Sequence, residues 1–195
     1  NSFKVVFITI VFRLLIVSAA AYAFAKLRFR GKEIIFLFFL STMMITPDTT
    51  VVPRYLLFKY IGILDTHWAV ILPRVFNVFF LFLFRQFFMQ VPDELSEAAL
   101  IDGCSHFEIY YKIILPLVKP AVITTILFTF IWQWNNYAEP YVFITSINKQ
   151  LITVGLEYFQ GEAGANYTLQ MAGASIAVIP TIIMFIISQK YFVKG

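Results

Sequence analysis

The run from Val5 to Ala25 contains a single charged side chain, Arg13. About 20 mostly apolar residues are enough to cross the hydrocarbon core of a bilayer as a helix. Four further candidates follow. Ile34 to Val52 is weakened after Pro47 and Asp48. Trp68 to Phe84 holds Pro73, Arg74 and Asn77. Ala121 to Tyr137 is the fourth, and Met171 to Ile187, with Pro180 inside, is the fifth. Composition decides whether these are core helices or spans. The chain of 195 residues is 60% hydrophobic and 13% charged, whereas soluble domains carry about 25% charged residues. A soluble globule has too little interior for so many apolar side chains, so the surplus must face lipid. Disorder needs the opposite composition, and one cysteine cannot form a disulfide within the chain. The expectation is an all-α, polytopic transmembrane helical bundle with about five spans.

The chain begins with Asn1, and its first span starts almost at once. This reads as a fragment lacking an N-terminal segment. A signal peptide is the rival reading, because Ala19-Ala20-Ala21-Tyr22-Ala23 resembles a cleavage zone. A signal's apolar region is about 7–15 residues and has no central arginine, which favours a true span.

Basic residues gather at the ends of the apolar runs rather than in a stripe interleaved with exposed aromatics. A nucleic-acid partner is therefore not expected. The links after the first and third spans and the C-terminal tail hold nine Lys and Arg, against four on the other side. The positive-inside rule makes the richer side cytoplasmic. The expected topology is a multi-pass membrane protein, its N-terminus outside and its C-terminus cytoplasmic. No carboxylate lies in the centre of a span. Ion-coupled carriers often place one there, so this argues against secondary transport.

The link from Val91 to Pro116 carries the densest information. Pro92, Asp93, Glu94 and Glu97 read as the start of a short helix, with Asp93 as its cap. Gly103 fits the left-handed position that ends a helix. Ser105 and Glu108 have the spacing of a capping box that opens a second helix, and Pro116 marks where that helix ends or kinks. Little bulk at Ala98 and Ala99 lets another surface approach the first helix. The whole is a helix–glycine–helix element that either sits in a partner's groove or packs on its own bundle.

The run Glu97-Ala98-Ala99, then Gly103, then Ile113 and Leu115-Pro116 resembles, position by position, the EAA motif of ABC importer permeases. Asp102 beside Gly103 fits the carbohydrate-importer branch. Further stretches are similar to the second permease subunit of maltose-type transporters: Ala20 to Gly31, Arg85-Gln86-Phe87-Phe88, Trp134-Asn135-Asn136-Tyr137, Phe159 to Glu162 and Lys190 to Gly195. Cys104 stands where that family often has Ala.

The resemblance implies one permease domain over residues 1–195, of the type I importer permease type, in a bacterial inner membrane. Five of an expected six spans are present, with an N-terminal span and a C-terminal tail missing. It implies that residues 92–116 form a cytoplasmic coupling element, with Glu97, Ala98, Ala99, Asp102 and Gly103 meeting an ATPase. The implied partners are ATPase subunits, a second permease, an extracytoplasmic solute-binding protein, membrane lipid and a sugar. No cofactor is expected on this chain: ATP and magnesium belong to the ATPases, and the chain has no Gly-x-x-x-x-Gly-Lys phosphate loop. The rival functions are a permease for another solute, such as a glycerol-phosphate ester, and a secondary carrier or channel.

Arg13, Asn77, Trp134, Asn135 and Asn136 are candidate pathway residues. Arg13 has a structural pairing as its plainer reading. The Trp132–Glu139 cluster combines aromatic faces with amides, which suits a sugar, but an interfacial aromatic belt looks the same. Arg74 is expected to snorkel outward. His67 and His106 are isolated, so neither implies a metal, and Cys104 is expected to pack inertly. The outer segment from Ala138 to Gln170 is long enough to reach a binding protein.

Overall fold

The computed structural model describes residues 1–161, 164–165 and 167–192. The helices are α1 (Ser2–Lys26), α2 (Lys32–Thr42), α3 (Val51–Tyr60), α4 (Trp68–Val75), α5 (Val78–Gln90) and α6 (Asp93–Ile101). They continue as α7 (His106–Leu117), α8 (Lys119–Trp134), α9 (Ala138–Phe143), α10 (Ile152–Gly155) and α11 (Tyr167–Phe192). The strands Gln160–Gly161 and Gly164–Ala165 pair as one short antiparallel ladder.

Two compact units emerge. The first comprises Asn1–Val11, Pro47–Arg74 and Ile126–Gly195, and the second Phe12–Thr46 and Val75–Thr125. In the second unit, Val17, Ala21, Phe24, Phe36, Phe80, Phe84, Phe88, Ile109 and Ile114 form the core. Between helices in lipid the hydrophobic driving force is weak, so close packing and buried polar contacts must hold them. Both are present. Phe24 meets the rings of Phe29, Phe36 and Phe39 at 5.7–6.0 Å. The Ser18 hydroxyl lies 2.7 Å from the Tyr110 hydroxyl inside the core.

In the first unit, Phe130 and Trp134 stack with ring centres 5.5 Å apart and gather Val6, Ile10, Ile152 and Met184 around them. A second cluster joins Phe58, Ala69 and Phe143. Helix α11 turns most of its apolar side chains outward, among them Ile176, Ile179, Ile182, Ile183 and Ile186. Its Pro180 is accommodated without ending the helix.

Among the described residues, three helical segments are long and apolar enough to cross a membrane: Ser2–Lys26, Trp68–Gln90 and Tyr167–Gln189. A fourth is possible if His106–Leu117 and Lys119–Trp134, bent by 80°, count as one. The second expected span is instead broken into α2, of 11 residues, and α3, of 10. At 1.5 Å per residue each reaches only about half of a 30 Å core. The break has local causes. Ser41 and Thr42 donate their hydroxyls back to the carbonyls of Phe38 and Phe39, and the chain then turns through a 3₁₀ segment at Pro47–Thr50. Inside the third span, Asn77 restarts the helix by accepting a bond from the Phe79 amide.

Candidate functional site: the α6–α7 corner

Pro92 precedes α6, and its fixed φ suits the entry to a helix. Asp93 is not the cap expected of it. It is the first helical residue, and its carboxylate pairs with Lys26 at 2.5 Å. Lys26 holds Asp93 below the usual carboxylate range, first by the hydrogen bond and then by its charge.

The far end of α6 closes tightly. Gly103 has φ +84°, and its amide bonds the Leu100 carbonyl at 3.1 Å while the Cys104 amide bonds the Ala99 carbonyl at 2.9 Å. This pair of bonds is the Schellman arrangement, in which the last helical carbonyls are satisfied by a left-handed residue. Cys104 and Ala99 both lie against the second unit's core, consistent with a packing role for the thiol.

The capping box that opens α7 is complete. Ser105 Oγ accepts from the Glu108 amide at 3.3 Å, and Glu108 accepts from the Ser105 amide at 3.0 Å. Lys112 donates to Glu108 at 2.8 Å. Ile109–Ile114 winds as a π-helix, and the 80° bend after Leu117 follows Pro116. With both caps closed, the corner holds a defined angle between two short helices, neither of which would be stable alone.

Four of the five expected contact residues, Glu97, Ala98, Asp102 and Gly103, are exposed at this corner. Ala99 is turned into the core instead. Two residues that sequence reasoning missed stand out, Ile101 at 87% and Phe107 at 70% exposure. The signal was present: Ile101 lies two positions past the inward-facing Ala99, so helical geometry turns it to another face. A cleft of about 570 Å³ lies beside α6, lined by Tyr22, Lys26, Arg28, Ser96, Glu97 and His106 among others.

The expected pathway residues are divided between the two units. Arg13 and Asn77 belong to the second unit, and Trp134, Asn135 and Asn136 to the first. Buried Arg13 sits 4.8 Å over the Phe80 ring, and Asn77 caps α5. Trp134 donates Nε1–H to the Ala177 carbonyl, and Asn135 donates to the Ile131 carbonyl. The Asn136 side-chain amide donates to Glu139 at 3.0 Å, and its backbone carbonyl accepts from the Thr153 hydroxyl.

Glu139, only 4% exposed, is the hub of a buried ionic cluster that the sequence did not reveal. It accepts from Arg54 at 2.6 Å and from Arg74 at 2.7 Å. Arg74 is thus paired inward, not simply snorkelling. Burial pushes the Glu139 carboxyl up, but Arg74 and Arg54 outweigh it and hold it below the usual range. Asp65, at φ +56°, is a second hub. It accepts from Lys149 at 2.8 Å, from the Thr145 and Ser146 amides at 2.9 and 2.8 Å, and from the Ser146 hydroxyl. Lys149 first, then Ser146, hold its carboxyl far below the usual range. Among the described residues no cluster of His, Cys, Asp or Glu could hold a metal ion. Glu162 and Val193–Gly195, part of the stretches that carried the resemblance, lie outside the described residues.

A helical bundle with helices of span length and much outward apolar surface is that of an integral membrane protein. Residues 14–195 match the family described as binding-protein-dependent transport system inner membrane component, and the chain belongs to that family. It is similar to the probable ABC transporter permease protein YurM of Bacillus subtilis, 34% identical over all of this chain and 66% of YurM. It is likewise similar to the arabinooligosaccharides transport system permease protein AraQ of Halalkalibacterium halodurans, 33% identical over all of this chain and 70% of AraQ. Among solved structures, a bacterial ABC transporter involved in import of the acidic polysaccharide alginate superposes with a TM-score of 0.87. That match is 27% identical and covers 98% of this chain and 73% of the other. The chain therefore spans about two thirds of the length of such relatives. It is an integral membrane transport subunit, of a family of permeases rather than enzymes.

Proposed function

We propose that the chain is the permease subunit of a binding-protein-dependent importer that moves a sugar or oligosaccharide, driven by partner ATPases through the α6–α7 corner. The observation that carries the coupling role is the corner itself: two capped helices presenting Ile101 and Phe107 beside Glu97 and Asp102. An apolar centre with a polar rim is the anatomy of a protein interface. The sugar assignment rests on relatives named for arabino-oligosaccharides, lactose and polygalacturonan transport. In this reading the single permease domain covers residues 1–195, and the corner and the C-terminus face the cytoplasm. A second permease completes the pathway, and the extracytoplasmic protein delivers solute. ATP and magnesium are bound by the ATPases. Closure of the ATPase pair moves a rigid lever against a bundle with two arrangements.

The test is uptake of labelled arabino-oligosaccharides and lactose by proteoliposomes holding the whole complex and its binding protein. Uptake that requires both ATP and the binding protein supports the proposal. Uptake with neither, or ATP-driven uptake of glycerol-phosphate esters in preference to sugars, overturns it.

A further inference from the structure

Lys26, the last residue of α1, has a side chain only 6% exposed. Its ammonium donates to the carbonyl of Val91 and to the carboxylate of Asp93, each at 2.5 Å. Val91 and Pro92 form the two-residue joint between α5 and α6. Pro92 has a ring-locked φ and no amide hydrogen, so this joint has few soft dihedrals. The lysine bridges it, gripping the last residue before Pro92 and the first residue of α6 behind it. An ammonium has three donors, and a buried one must use them.

The same end of α1 is braced from two more sides. Arg85 of α5 donates to the Phe24 carbonyl and, at 2.7 and 2.8 Å, to the Glu33 carboxylate, with its guanidinium 4.1 Å over the Phe36 ring. Lys32 donates to the carbonyls of Ala25 and Leu27. Arg85 and Lys32 hold the end of α1 to α5 and α2. Lys26 alone of these three ties it to α6.

We propose that Lys26 is the positioning residue that makes the end of α1 and the helix α6 move as one body. This rests on the reading of α6 as the coupling helix. Motion of α6 about the Val91–Pro92 joint must carry the end of α1 with it or break both bonds of Lys26. A displacement applied at the corner thereby enters the first span directly, as well as through α7 and α8. Transmission of this kind needs a physical connection with a defined geometry, which two bonds from one buried ammonium supply.

The test uses the assembled complex in lipid nanodiscs, in a Cys104→Ser background. Cysteines are placed by Arg28→Cys and Leu100→Cys, two positions on the wall of the cleft beside α6. The rate of disulfide formation is compared with and without ATP and vanadate. With Lys26 intact the rates are equal in both states. With Lys26→Met, which keeps length and removes the donors, they differ about tenfold, a typical coupling magnitude. Lys26→Arg restores equality. Binding-protein-stimulated ATP hydrolysis falls in Lys26→Met while basal hydrolysis persists, a split that a merely structural defect does not produce. If Lys26→Met does not assemble, Asp93→Asn weakens the same link while leaving the Val91 bond, and a smaller rate difference is expected. Equal rates in Lys26→Met, or unequal rates with Lys26 intact, overturn the proposal. Gly103→Val tests the coupling reading separately. If ATP-driven uptake of arabino-oligosaccharide is unchanged in that variant, the coupling reading fails, whatever the cross-linking shows about Lys26.

Discussion

Arg74 and Glu139, 65 residues apart in sequence, meet at 2.7 Å with the carboxylate buried. Arg54 reaches the other carboxylate oxygen at 2.6 Å. One acid thus joins α3, α4 and α9. Replacing it removes the carboxylate that both guanidiniums share. Breaking a buried pair costs about 3 kcal/mol or more, and both arginines here retain some solvent contact, so Glu139→Ala is expected near the lower end. Thermal denaturation in detergent checks this; an unchanged midpoint would remove the cluster from the list of what holds the first unit.

Asp65 offers a pH test. Its carboxyl lies far below the usual range when folded, because Lys149 and Ser146 bond the charged form. The stability it contributes is fully present above the unfolded value of about 3.9 and is lost as pH falls toward the folded value. The difference in melting point between the native chain and Asp65→Asn should be constant from pH 7 to about 5 and shrink only in stronger acid. A difference that vanishes near neutral pH would contradict the assignment.

Gly103 allows a graded series. No atom stands within 4 Å of where its Cβ would be, so space is open and the obstacle is its φ of +84°. A left-handed residue with a side chain costs about 1–2 kcal/mol, least for Asn. Uptake is expected to fall in the order Gly, Asn, Ala, Val, with insertion unaffected. Equal uptake across the series would mean that the corner angle is irrelevant.

Ile101 and Phe107 are the expected anchors of the ATPase contact. Truncating a central apolar anchor commonly weakens binding tenfold or more, about 1.4 kcal/mol. Ile101→Asp and Phe107→Ala should each lower the ATPase recovered with the purified permease, while the permease itself melts as before. Full recovery of ATPase with both changed would place the contact elsewhere.

Gly173 of α11 faces the 156–159 turn. A Cβ there would lie 2.7 Å from Leu156 Cδ2 and 3.1 Å from Phe159 Cε2. Leu156 Cδ2 is the end of a flexible side chain and can yield to Ala, but Gly173→Val should destabilise by about 1–3 kcal/mol through overpacking. Leu156→Ala in the same chain should recover part of that loss, as read from melting points.

Much of the α6–α7 corner could be read from the sequence because its determinants are local. Gly103 at a left-handed position, the Ser105–Glu108 box and the break near Pro116 are each specified within a few residues. Even there Asp93 was misplaced, because a lysine 67 residues away competes for its carboxylate. The second apolar run was expected to weaken only after Pro47, whereas the hydroxyl-closed end of α2 already stops the helix at Thr42. The Glu139 cluster had no sequence signal at all, its members lying 20 and 65 residues apart. In the Trp134–Asn136 stretch, the indole N–H and the side-chain amide N–H groups of both asparagines donate to partners set by the fold.

The sequence by itself determined the solvent, the helical class and the corner, because length of apolar run, scarcity of charge and capping residues act over one or a few turns. Only the tertiary structure decided which way α6 presents its residues, how many helices reach span length unbroken, and which charges meet. Those outcomes depend on distances between residues remote in the chain. The pairing of Lys26 with the Val91–Asp93 joint is of this second kind: each side chain is ordinary in sequence, and the fold alone brings them together.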